Sequence, residues 1–299
     1  MKDELENQTA NTNKVWFITG SSTGLGRALA EAVLQKGQRV VATARDPNVL
    51  RDLSEKFSET LRVVRLDVTK NEEINEALAT AVKEFGRIDV LVNNAGYGLI
   101  GAVEEAGEQQ IRRQFETNFF GAVNTIRAVL PAMRERRGGH ILNVSSGGGF
   151  IGFASVGFYN ASKFALEGLS EALAKEAAHL GIRVTIIEPG LFRTDFNGRS
   201  LVKPENRMSE FYPSTGDFVD FLREWDGKQP GDPAKAAQAI IEAVESENPP
   251  LRLPLGEDAV TMIEAELDTV RRDILPWRET GMATAFDDAK KSGGKNEDV

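Results

Sequence analysis

A glycine-rich turn between an apolar run and an amphipathic segment constrains the fold of this chain more than any other feature. The run 15–19 (VWFIT) predicts a buried strand, and glycines follow it at positions 20, 24 and 26. The next residues, RALAEAVLQKG, have the apolar spacing of a helix that ends at a glycine, and RVVATA at 39–44 predicts a second strand. A strand, a glycine turn, a helix and a strand in this order indicate the opening of a doubly wound parallel sheet.

The alternation of strands and helices continues along the chain. Further strands are predicted at 61–68, 88–96, 140–146, 183–190 and 251–255. Helices are predicted at 49–57, 72–86, 104–135, 157–180, 233–246 and 257–273. The acidic pair Glu104-Glu105 is expected to cap the helix at 104–135, the fourth in the chain. The pattern predicts an α/β fold, a Rossmann-type doubly wound three-layer sandwich. Its seven-stranded parallel sheet is expected to carry helices on both faces.

One domain is expected at residues 14–286, because the predicted strands and helices form one continuous alternation; no internal repeat is evident. Residues 191–232 form a looser region within it that is rich in glycine, proline and aromatic side chains. The polar segments 1–13 and 287–299 are expected to be disordered.

Charge and cysteine content exclude several classes of function. The net charge of −9 argues against a nucleic-acid or anionic-membrane partner, each of which would need a basic surface. The absence of cysteine excludes disulfides, thiolate catalysis and cysteine metal sites. The two histidines, His140 and His179, are too far apart in the sequence to suggest a metal site and are expected to be structural. Since no apolar run approaches the roughly 18 residues that span a bilayer, a cytoplasmic protein is expected.

The glycine turn has the spacing G-x-x-x-G-x-G, which suits a bound pyrophosphate. Glycine allows a tight turn and a close approach of the backbone to the anion, and the following helix offers free N–H groups. We therefore predict a dinucleotide site, although a strand–helix turn without a ligand is the alternative. The candidate contacts are Gly20, Ser22, Thr23, Gly24 and Leu25.

The end of the second strand discriminates between dinucleotides. An acidic residue there binds the ribose 2′-hydroxyl, whereas an arginine accommodates a 2′-phosphate. Ala44 fills the usual acidic position and Arg45 follows it, which favours NADP(H). NAD(H) stays possible, because a shift of two residues in register would let Asp46 bind the ribose.

Tyr159 and Lys163 are four residues apart, so a helix would place them on one face. A fixed ammonium beside a phenol favours the phenolate and lowers the phenol pKa. A pair of solvent-facing side chains is the alternative reading of this spacing. Ser146 lies thirteen residues ahead of Tyr159 at the end of a predicted strand.

Taken in order, the motifs T-G-x-x-x-G-x-G at 19–26, N-N-A-G at 93–96, Y-x-A-S-K at 159–163 and P-G-x-x-x-T at 189–194 resemble the classical short-chain dehydrogenase/reductase family. The resemblance covers roughly residues 14–255. Position 23 is a threonine, whereas some NADP-preferring members carry a basic residue there.

The resemblance implies further contacts to the cofactor. It implies that Asp67 and Val68 lie at the adenine and that Lys163 holds the nicotinamide ribose beside Tyr159. The remaining implied cofactor contacts are Asn94, Ala95, Gly96, Pro189, Gly190 and Thr194.

The resemblance also implies a catalytic tetrad and a reaction. The expected reaction is hydride transfer between nicotinamide C4 and a carbonyl or secondary alcohol. Tyr159 is expected to act as the acid–base, with Lys163 lowering its pKa. Ser146 is expected to hold the substrate oxygen, and Asn118 to keep a water in a proton path.

In the resembled family, the region after Pro189 closes over the substrate, so residues 191–232 are the expected lid. Aromatic side chains are frequent there and near Tyr159: Phe150, Phe153, Phe158, Phe192, Phe196, Phe211, Tyr212, Phe218, Phe221 and Trp225. They either line a pocket for a hydrophobic ketone or alcohol or form the buried faces of lid helices.

Two other functions stay open: an epimerase or dehydratase, and a non-catalytic NADP(H)-binding sensor. Members of the resembled family often pair their fourth and fifth helices, so a homodimer or homotetramer is expected.

Overall fold

A computed structural model describes residues 14–198, 200–204, 207–208 and 210–286. The segments 1–13 and 287–299, which the sequence predicts to be disordered, lie outside the described residues. The strands are β1 Val15–Ile18, β2 Arg39–Ala44, β3 Leu61–Arg65, β4 Val90–Asn93, β5 Gly98–Leu99, β6 Gly139–Val144, β7 Ile182–Pro189, β8 Leu201–Val202 and β9 Arg252–Leu255.

The helices mostly follow the predicted alternation. They are α1 Gly24–Gln35, α2 Arg51–Lys56, α3 Asn71–Phe85, α4 Glu108–Phe115, α5 Gly121–Arg136, α6 Gly157–Ala177, α7 Pro213–Glu224, α8 Pro233–Glu245, α9 Glu257–Ile274 and α10 Arg278–Met282. None of these described helices is long and apolar enough to cross a membrane.

A seven-stranded parallel sheet forms the centre of the domain, as predicted. Its order is β3-β2-β1-β4-β6-β7-β9, and β1 lies between β2 and β4, with Trp16 beside Val40 and Val90. The order reverses between β1 and β4, which is the switch point where ligands bind in such sheets.

Both faces of the sheet are buried, because successive side chains of a strand point to opposite sides. Trp16 and Ile18 pack with α1, α2 and α8 in one apolar core. Phe17 packs with α3, α5 and α6 in the other. The central strand is therefore apolar at every position, and the predicted three-layer sandwich is confirmed.

The predicted long fourth helix differs from the structure. It begins at Glu108 instead of residue 104, and the π-helical turn Glu116–Phe120 separates α4 from α5. The prediction that Glu104-Glu105 caps it is wrong. Buried Glu105 instead accepts hydrogen bonds from the N–H of Ala102 at 2.8 Å and of Met208 at 2.6 Å.

The looser region contains more regular structure than predicted. Helix α7 lies within it, and β8 pairs in parallel with β5, placing Leu201 beside Gly98. The side chain of Glu104 binds the hydroxyl of Tyr212 from this region. The lid region is therefore attached to the segment that precedes α4.

Prediction: Gly26→Ala destabilises the protein. A Cβ at Gly26 would lie 2.3 Å from Nδ2 of Asn94 and 2.6 Å from the backbone oxygen of Gly20. Overpacking of this kind costs about 1–3 kcal/mol of unfolding free energy, which urea denaturation measures. Gly168→Ala on α6 is the matched control, since its Cβ would meet no atom within 4 Å. A Gly26→Ala protein as stable as the control would contradict this packing.

Candidate active site

The candidate site lies where the carboxyl ends of β1, β4, β6 and β7 meet at one edge of the sheet. Gly20, Asn94, Ser146 and Gly190 follow these strands within two residues or fewer of their ends. Parallel pairing thus brings motifs that are far apart in the sequence into one region.

The glycine turn is held against the end of β4. Gly20 has a φ of 67°, and a Cβ on it would lie 2.8 Å from the Cα of Ala95. The amide of Asn94 donates to the backbone oxygens of Thr19 at 3.0 Å and Gly20 at 2.9 Å. In return, the hydroxyl of Thr19 accepts from the N–H of Asn94 at 2.9 Å. The N-N-A-G segment therefore fixes the shape of the turn.

A cavity of about 410 Å³ lies at the start of α1. Its walls are Ser22, Thr23, Gly24, Arg27, Arg193, Thr194, Asp195 and Pro233. Thr23 makes no side-chain cap, and the first turn of α1 carries no acidic residue. The free N–H groups of this turn can therefore bind an anion.

The residues of this cavity fit the diphosphate of a dinucleotide. A Cβ on Gly24 would lie 3.5 Å from Thr194, so a larger residue would narrow the space between the turn and the loop after β7. Arg27 is partly neutralised by its ion pair with Asp52. Sequence reasoning missed Arg193, and its position beside Thr194 in the P-G-x-x-x-T motif was the available signal.

Arg45 and Asp46 differ in their environments at the end of β2. Ala44 is buried and Arg45 is exposed. The carboxylate of Asp46 accepts hydrogen bonds from the backbone and side-chain nitrogens of Asn48, both at 3.0 Å. Asp46 thus caps the short turn Pro47–Leu50, whereas Arg45 is exposed beside it.

Asp67 and Val68 follow β3 at the same edge. Burial acts to raise the pKa of Asp67, but hydrogen bonds from Thr69 and the charge of Arg45 bring that pKa below its ordinary value. Val68 packs closely on α5, since a Cβ on Gly121 would lie 2.7 Å from its side chain. The structure therefore places Arg45 and Asp67 within electrostatic range of each other.

Tyr159 and Lys163 lie one turn apart near the start of α6, and Lys163 is buried, which excludes the solvent-facing alternative. The Nζ of Lys163 lies 5.8 Å from the centroid of the Tyr159 ring. It donates to the backbone oxygen of Val144 at 2.7 Å. The hydroxyl of Ser146 lies close enough to Tyr159 to act on the pKa of its phenol, and it accepts a hydrogen bond from the N–H of Gly148 at 3.1 Å.

Burial is the largest influence on the pKa values of Tyr159 and Lys163. It raises the pKa of the Tyr159 phenol above its ordinary value, and the hydrogen bond with Ser146 acts against that rise. Burial also lowers the pKa of Lys163 to about 8, against the charge of Glu167. In this arrangement desolvation, and not the charge of Lys163, sets the direction for Tyr159, so the phenol is protonated at neutral pH.

Asn118 lies in the π-helical turn between α4 and α5, and such turns are frequent at functional sites. Its amide oxygen accepts from the N–H of Tyr97 at 3.0 Å, and its amide nitrogen donates to the oxygen of Tyr97 at 2.9 Å. A Cβ on Gly96 would lie 3.2 Å from Asn118 and 3.5 Å from Lys163. The structure thus brings Asn118 and Lys163 together beside the N-N-A-G segment.

A charged cluster that sequence reasoning missed supports the loop after Ser146. Arg252 on β9 binds the carboxylates of Glu167, Glu171 and Glu188. Glu167 also accepts a hydrogen bond from the hydroxyl of Ser145 at 2.6 Å. Glu167 lies four residues after Lys163, and this helical spacing was the sequence signal that could have indicated its place in the site.

The run Gly147–Gly149 forms a buried 3₁₀ turn over this cluster. A Cβ on Gly149 would lie 2.1 Å from the hydroxyl of Ser145 and 2.2 Å from the carboxylate of Glu167. The ring of Phe150 lies 5.2 Å from the guanidinium of Arg252. Close packing on the cluster therefore accounts for glycine at position 149.

The aromatic side chains divide between the two roles expected from the sequence. The rings of Phe196 and Tyr159 are 6.0 Å apart. Phe153 and Phe218 pack with Tyr159 around a small apolar cluster of Ile100, Val156, Val219 and Leu222. This cluster joins α7 to the segment beside Tyr159, whereas Phe211 is exposed.

Comparison with known proteins identifies close relatives of this chain. A family model for short chain dehydrogenases matches residues 14–204. The oxidoreductase BOA17 of Botryotinia fuckeliana is 42% identical over 91% of this chain and 99% of its own length. The 3-ketodihydrosphingosine reductase of Bacteroides thetaiotaomicron is 40% identical over 81% of this chain and 88% of its own length.

Solved structures agree with these relatives. A short-chain dehydrogenase from Streptomyces avermitilis is 43% identical, with a TM-score of 0.86 over 92% of this chain and 100% of that one. An alcohol dehydrogenase from Thermococcus sibiricus, complexed with 5-hydroxy-NADP, is 26% identical. Its TM-score is 0.68 over 81% of this chain and 96% of that one.

Prediction: Glu188→Gln reduces the pH dependence of stability. Burial raises the pKa of Glu188 to about 7, Glu167 acts in the same direction, and Arg252 opposes both. The folded protein thus binds more protons than the unfolded chain from about pH 4.5 to about pH 7, and stability falls as the pH rises through that range. Glutamine does not ionise and removes this contribution.

Thermal midpoints at a series of pH values across that range measure the effect. Glu55→Gln is the control, because it removes an exposed carboxylate on α2. An unchanged pH dependence in Glu188→Gln would contradict the assignment.

Proposed function

This chain belongs to the short-chain dehydrogenase family and is an oxidoreductase, and we propose that it reduces the carbonyl of a hydrophobic ketone with NADPH or catalyses the reverse oxidation. One observation carries the proposal. The phenol of Tyr159 lies close enough to the hydroxyl of Ser146 to act on its pKa, and its ring lies 5.8 Å from the Nζ of buried Lys163, at the edge of the sheet that also carries the glycine turn.

This chain offers a complete set of residues to hold NADP(H). The turn from Gly20 to Leu25 would bind the diphosphate, Arg45 the 2′-phosphate and Asp67 with Val68 the adenine. The residues at the nicotinamide end would be Asn94, Ala95, Gly96, Tyr159, Lys163, Pro189, Gly190 and Thr194. When bound, the cofactor supplies or accepts a hydride at its nicotinamide C4.

Tyr159 and Ser146 act on the substrate oxygen. The hydroxyl of Ser146 donates a hydrogen bond that orients the carbonyl. Tyr159 holds its proton at neutral pH and gives it to the oxygen as negative charge develops there. In oxidation, the same oxygen of Tyr159 takes the proton from the alcohol.

Lys163 and Asn118 restore the proton and stabilise the phenolate. The ammonium of Lys163 is charged below its pKa of about 8 and lies close enough to the ring to stabilise the phenolate that remains after proton transfer. Asn118 closes the inner end of the site, where a water would link Lys163 to solvent.

Two features support the choice of NADP(H). Arg45 is exposed at the position that would contact the adenosine ribose, and the residue before it, Ala44, is not acidic. Asp46 is the alternative residue for binding the ribose, but its carboxylate caps the turn Pro47–Leu50. A guanidinium binds phosphate strongly, whereas it has no charged partner on the 2′-hydroxyl of NAD.

The preference for a hydrophobic substrate rests on the surroundings of Tyr159. The ring of Phe196 lies 6.0 Å from that of Tyr159, and Phe153 and Phe218 pack against the same small apolar cluster as Tyr159. Apolar walls with a few polar anchors are typical of sites for small hydrophobic molecules. A relative at 40% identity, named as a reductase of a 3-keto sphingoid base, supports a ketone with a long apolar part.

Prediction: Tyr159→Phe folds and binds NADPH but loses turnover by a factor on the order of 10²–10⁴ or more, because no group remains to donate the proton. The loss is measured from the absorbance of NADPH with a panel of ketones, aldehydes and quinones. NADPH fluorescence titration on the same variant separates lost chemistry from lost binding. Near wild-type turnover in Tyr159→Phe would contradict the assignment of Tyr159 as the proton donor.

Prediction: Arg45→Glu weakens NADPH binding at least tenfold more than NADH binding, since it replaces a phosphate-binding cation by an anion. Fluorescence titration with both cofactors measures the ratio. Arg51→Glu is the matched control, because Arg51 is another exposed arginine, six residues along, that pairs with Glu55. Equal effects of Arg45→Glu on both cofactors would show that Arg45 does not bind the 2′-phosphate.

A further inference from the structure

Glu167 is a buried carboxylate that the proposed reaction does not use. It lies on α6, one turn after Lys163 and two turns after Tyr159, and it is 3% exposed. Burial of a charged group costs free energy unless other groups bind it. The contacts that offset this cost determine where Glu167 can act.

Both oxygens of the Glu167 carboxylate accept hydrogen bonds. Its Oε1 accepts from the hydroxyl of Ser145 at 2.6 Å, and its Oε2 accepts from the guanidinium of Arg252 at 2.5 Å. The two donors lie on different elements, since Ser145 follows β6 and Arg252 is on β9. The carboxylate therefore ties α6 to two strands of the sheet.

Arg252 balances part of the negative charge around Glu167. Its guanidinium also binds Glu171 on α6 and Glu188 on β7, and it lies over the ring of Phe150. Burial, together with the charge of Glu167, raises the pKa of Glu188 to about 7. Three carboxylates face one guanidinium, so the cluster keeps a net negative charge whether or not Glu188 binds a proton.

The negative charge of Glu167 acts on Lys163. The two residues are four apart, a spacing that brings side chains together on one face of a helix. Burial lowers the pKa of Lys163, and the charge of Glu167 opposes that fall. The phenol of Tyr159 and the amide of Asn118, which also lie near the ammonium, carry no charge at neutral pH. Glu167 therefore supplies negative charge that favours the ammonium form of Lys163.

Glu167 also contacts the chain on both sides of Ser146. On one side lies Ser145, whose hydroxyl binds Glu167 and whose N–H donates to the backbone oxygen of Ile187 at 2.7 Å. On the other side lies Gly149, where a Cβ would lie 2.2 Å from the carboxylate. The N–H of Gly149 donates to the backbone oxygen of Ser146 at 2.8 Å. A displacement of Glu167 would therefore displace Ser146.

We propose that Glu167 is a positioning residue for the proposed reduction. Through the segments on either side of Ser146 it fixes the hydroxyl of that residue, and its negative charge favours the ammonium form of Lys163. Both effects act through residues to which the proposed function assigns roles, so the proposal rests on that function. A carboxylate that only paired with Arg252 would instead stabilise the fold without altering the protonation of Lys163.

Glu167→Gln tests the effect of the charge on Lys163. Glutamine has nearly the same size and can still accept from Ser145, but it carries no charge. We expect the midpoint of Lys163 deprotonation to fall by about one pH unit. NMR of labelled lysine side chains measures this midpoint, with the signal assigned by its loss in Lys163→Arg. The alkaline limb of kcat for reduction should move to lower pH by the same amount, because a neutral lysine does not stabilise the phenolate.

Glu171→Gln is the matched control, because Glu171 binds the same guanidinium from one turn further along α6. It removes an equal charge and a partner of Arg252, while Ser145 and Lys163 keep their contacts with Glu167. The midpoint of Lys163 and the pH profile of kcat should stay near their wild-type values. Equal shifts in the two variants would overturn the proposal.

Ser145→Ala tests the effect on Ser146 separately. It removes the hydroxyl that binds Glu167 but keeps the charge of Glu167. We therefore expect kcat to fall on the order of tenfold or more, with the midpoint of Lys163 unchanged. NADPH affinity, measured by fluorescence titration, should match the wild type and shows that the variant is folded. A wild-type kcat in Ser145→Ala would overturn the positioning of Ser146.

The midpoint of Lys163 is measured without substrate, which separates failure of this proposal from failure of the proposed function. An unchanged midpoint in Glu167→Gln, beside a wild-type protein that reduces ketones, overturns the role of Glu167 alone. A wild-type protein that reduces no carbonyl compound contradicts the proposed function and, with it, the role of Glu167 in that reaction.

Discussion

The active-site geometry depends on the hydrogen bond that buried Lys163 donates to the backbone oxygen of Val144. A buried ammonium is costly unless it is paired, and this bond, together with the nearby charge of Glu167, offsets the cost. One turn further along α6, Glu167 accepts a bond from Ser145. Two consecutive residues at the end of β6 are thus tied to one helix, and Ser146 is the next residue. This places its hydroxyl close to Tyr159, which lies on the same helix. The contacts that hold α6 to the sheet therefore also set the distance between the proposed proton donor, Tyr159, and the proposed substrate anchor, Ser146.

On the cofactor side, too, a few contacts link separate parts of the site. Asn94 binds the backbone of the glycine turn, and Gly96 lies against both Asn118 and Lys163. The segment after β4 therefore touches the expected diphosphate site at one end and the catalytic residues at the other. A substitution that disturbs the packing of this segment would displace the diphosphate site and the proposed catalytic residues together. The region 191–232 is held by separate contacts, because Glu105 accepts a hydrogen bond from the N–H of Met208 and Glu104 accepts one from the hydroxyl of Tyr212.

The sheet, its covering helices and the placement of Tyr159 and Lys163 on one helix could be predicted from sequence because each depends on local spacing. Periodicity indicates strands and helices, and parallel strands bring their ends together. The features that were missed depend on residues far apart in the chain. Glu167 meets Arg252 at a separation of 85 residues, and Glu105 meets Met208 at 103. The pKa of Tyr159 was predicted from its charged neighbour, whereas burial, which no local pattern shows, sets its direction. The π-helical turn at Asn118 likewise interrupts a segment whose pattern reads as continuous helix.

Direct transfer of hydrogen between cofactor and carbonyl carbon is the central claim, and isotopic labelling tests it most directly. NADPH deuterated at the transferable C4 position is incubated with a carbonyl compound that this protein reduces, and the alcohol is analysed by mass spectrometry. We expect one deuterium on the carbinol carbon, and none at that carbon when unlabelled NADPH is used in deuterated water. Product without deuterium from the cofactor, or carbon-bound deuterium drawn from solvent, would contradict it.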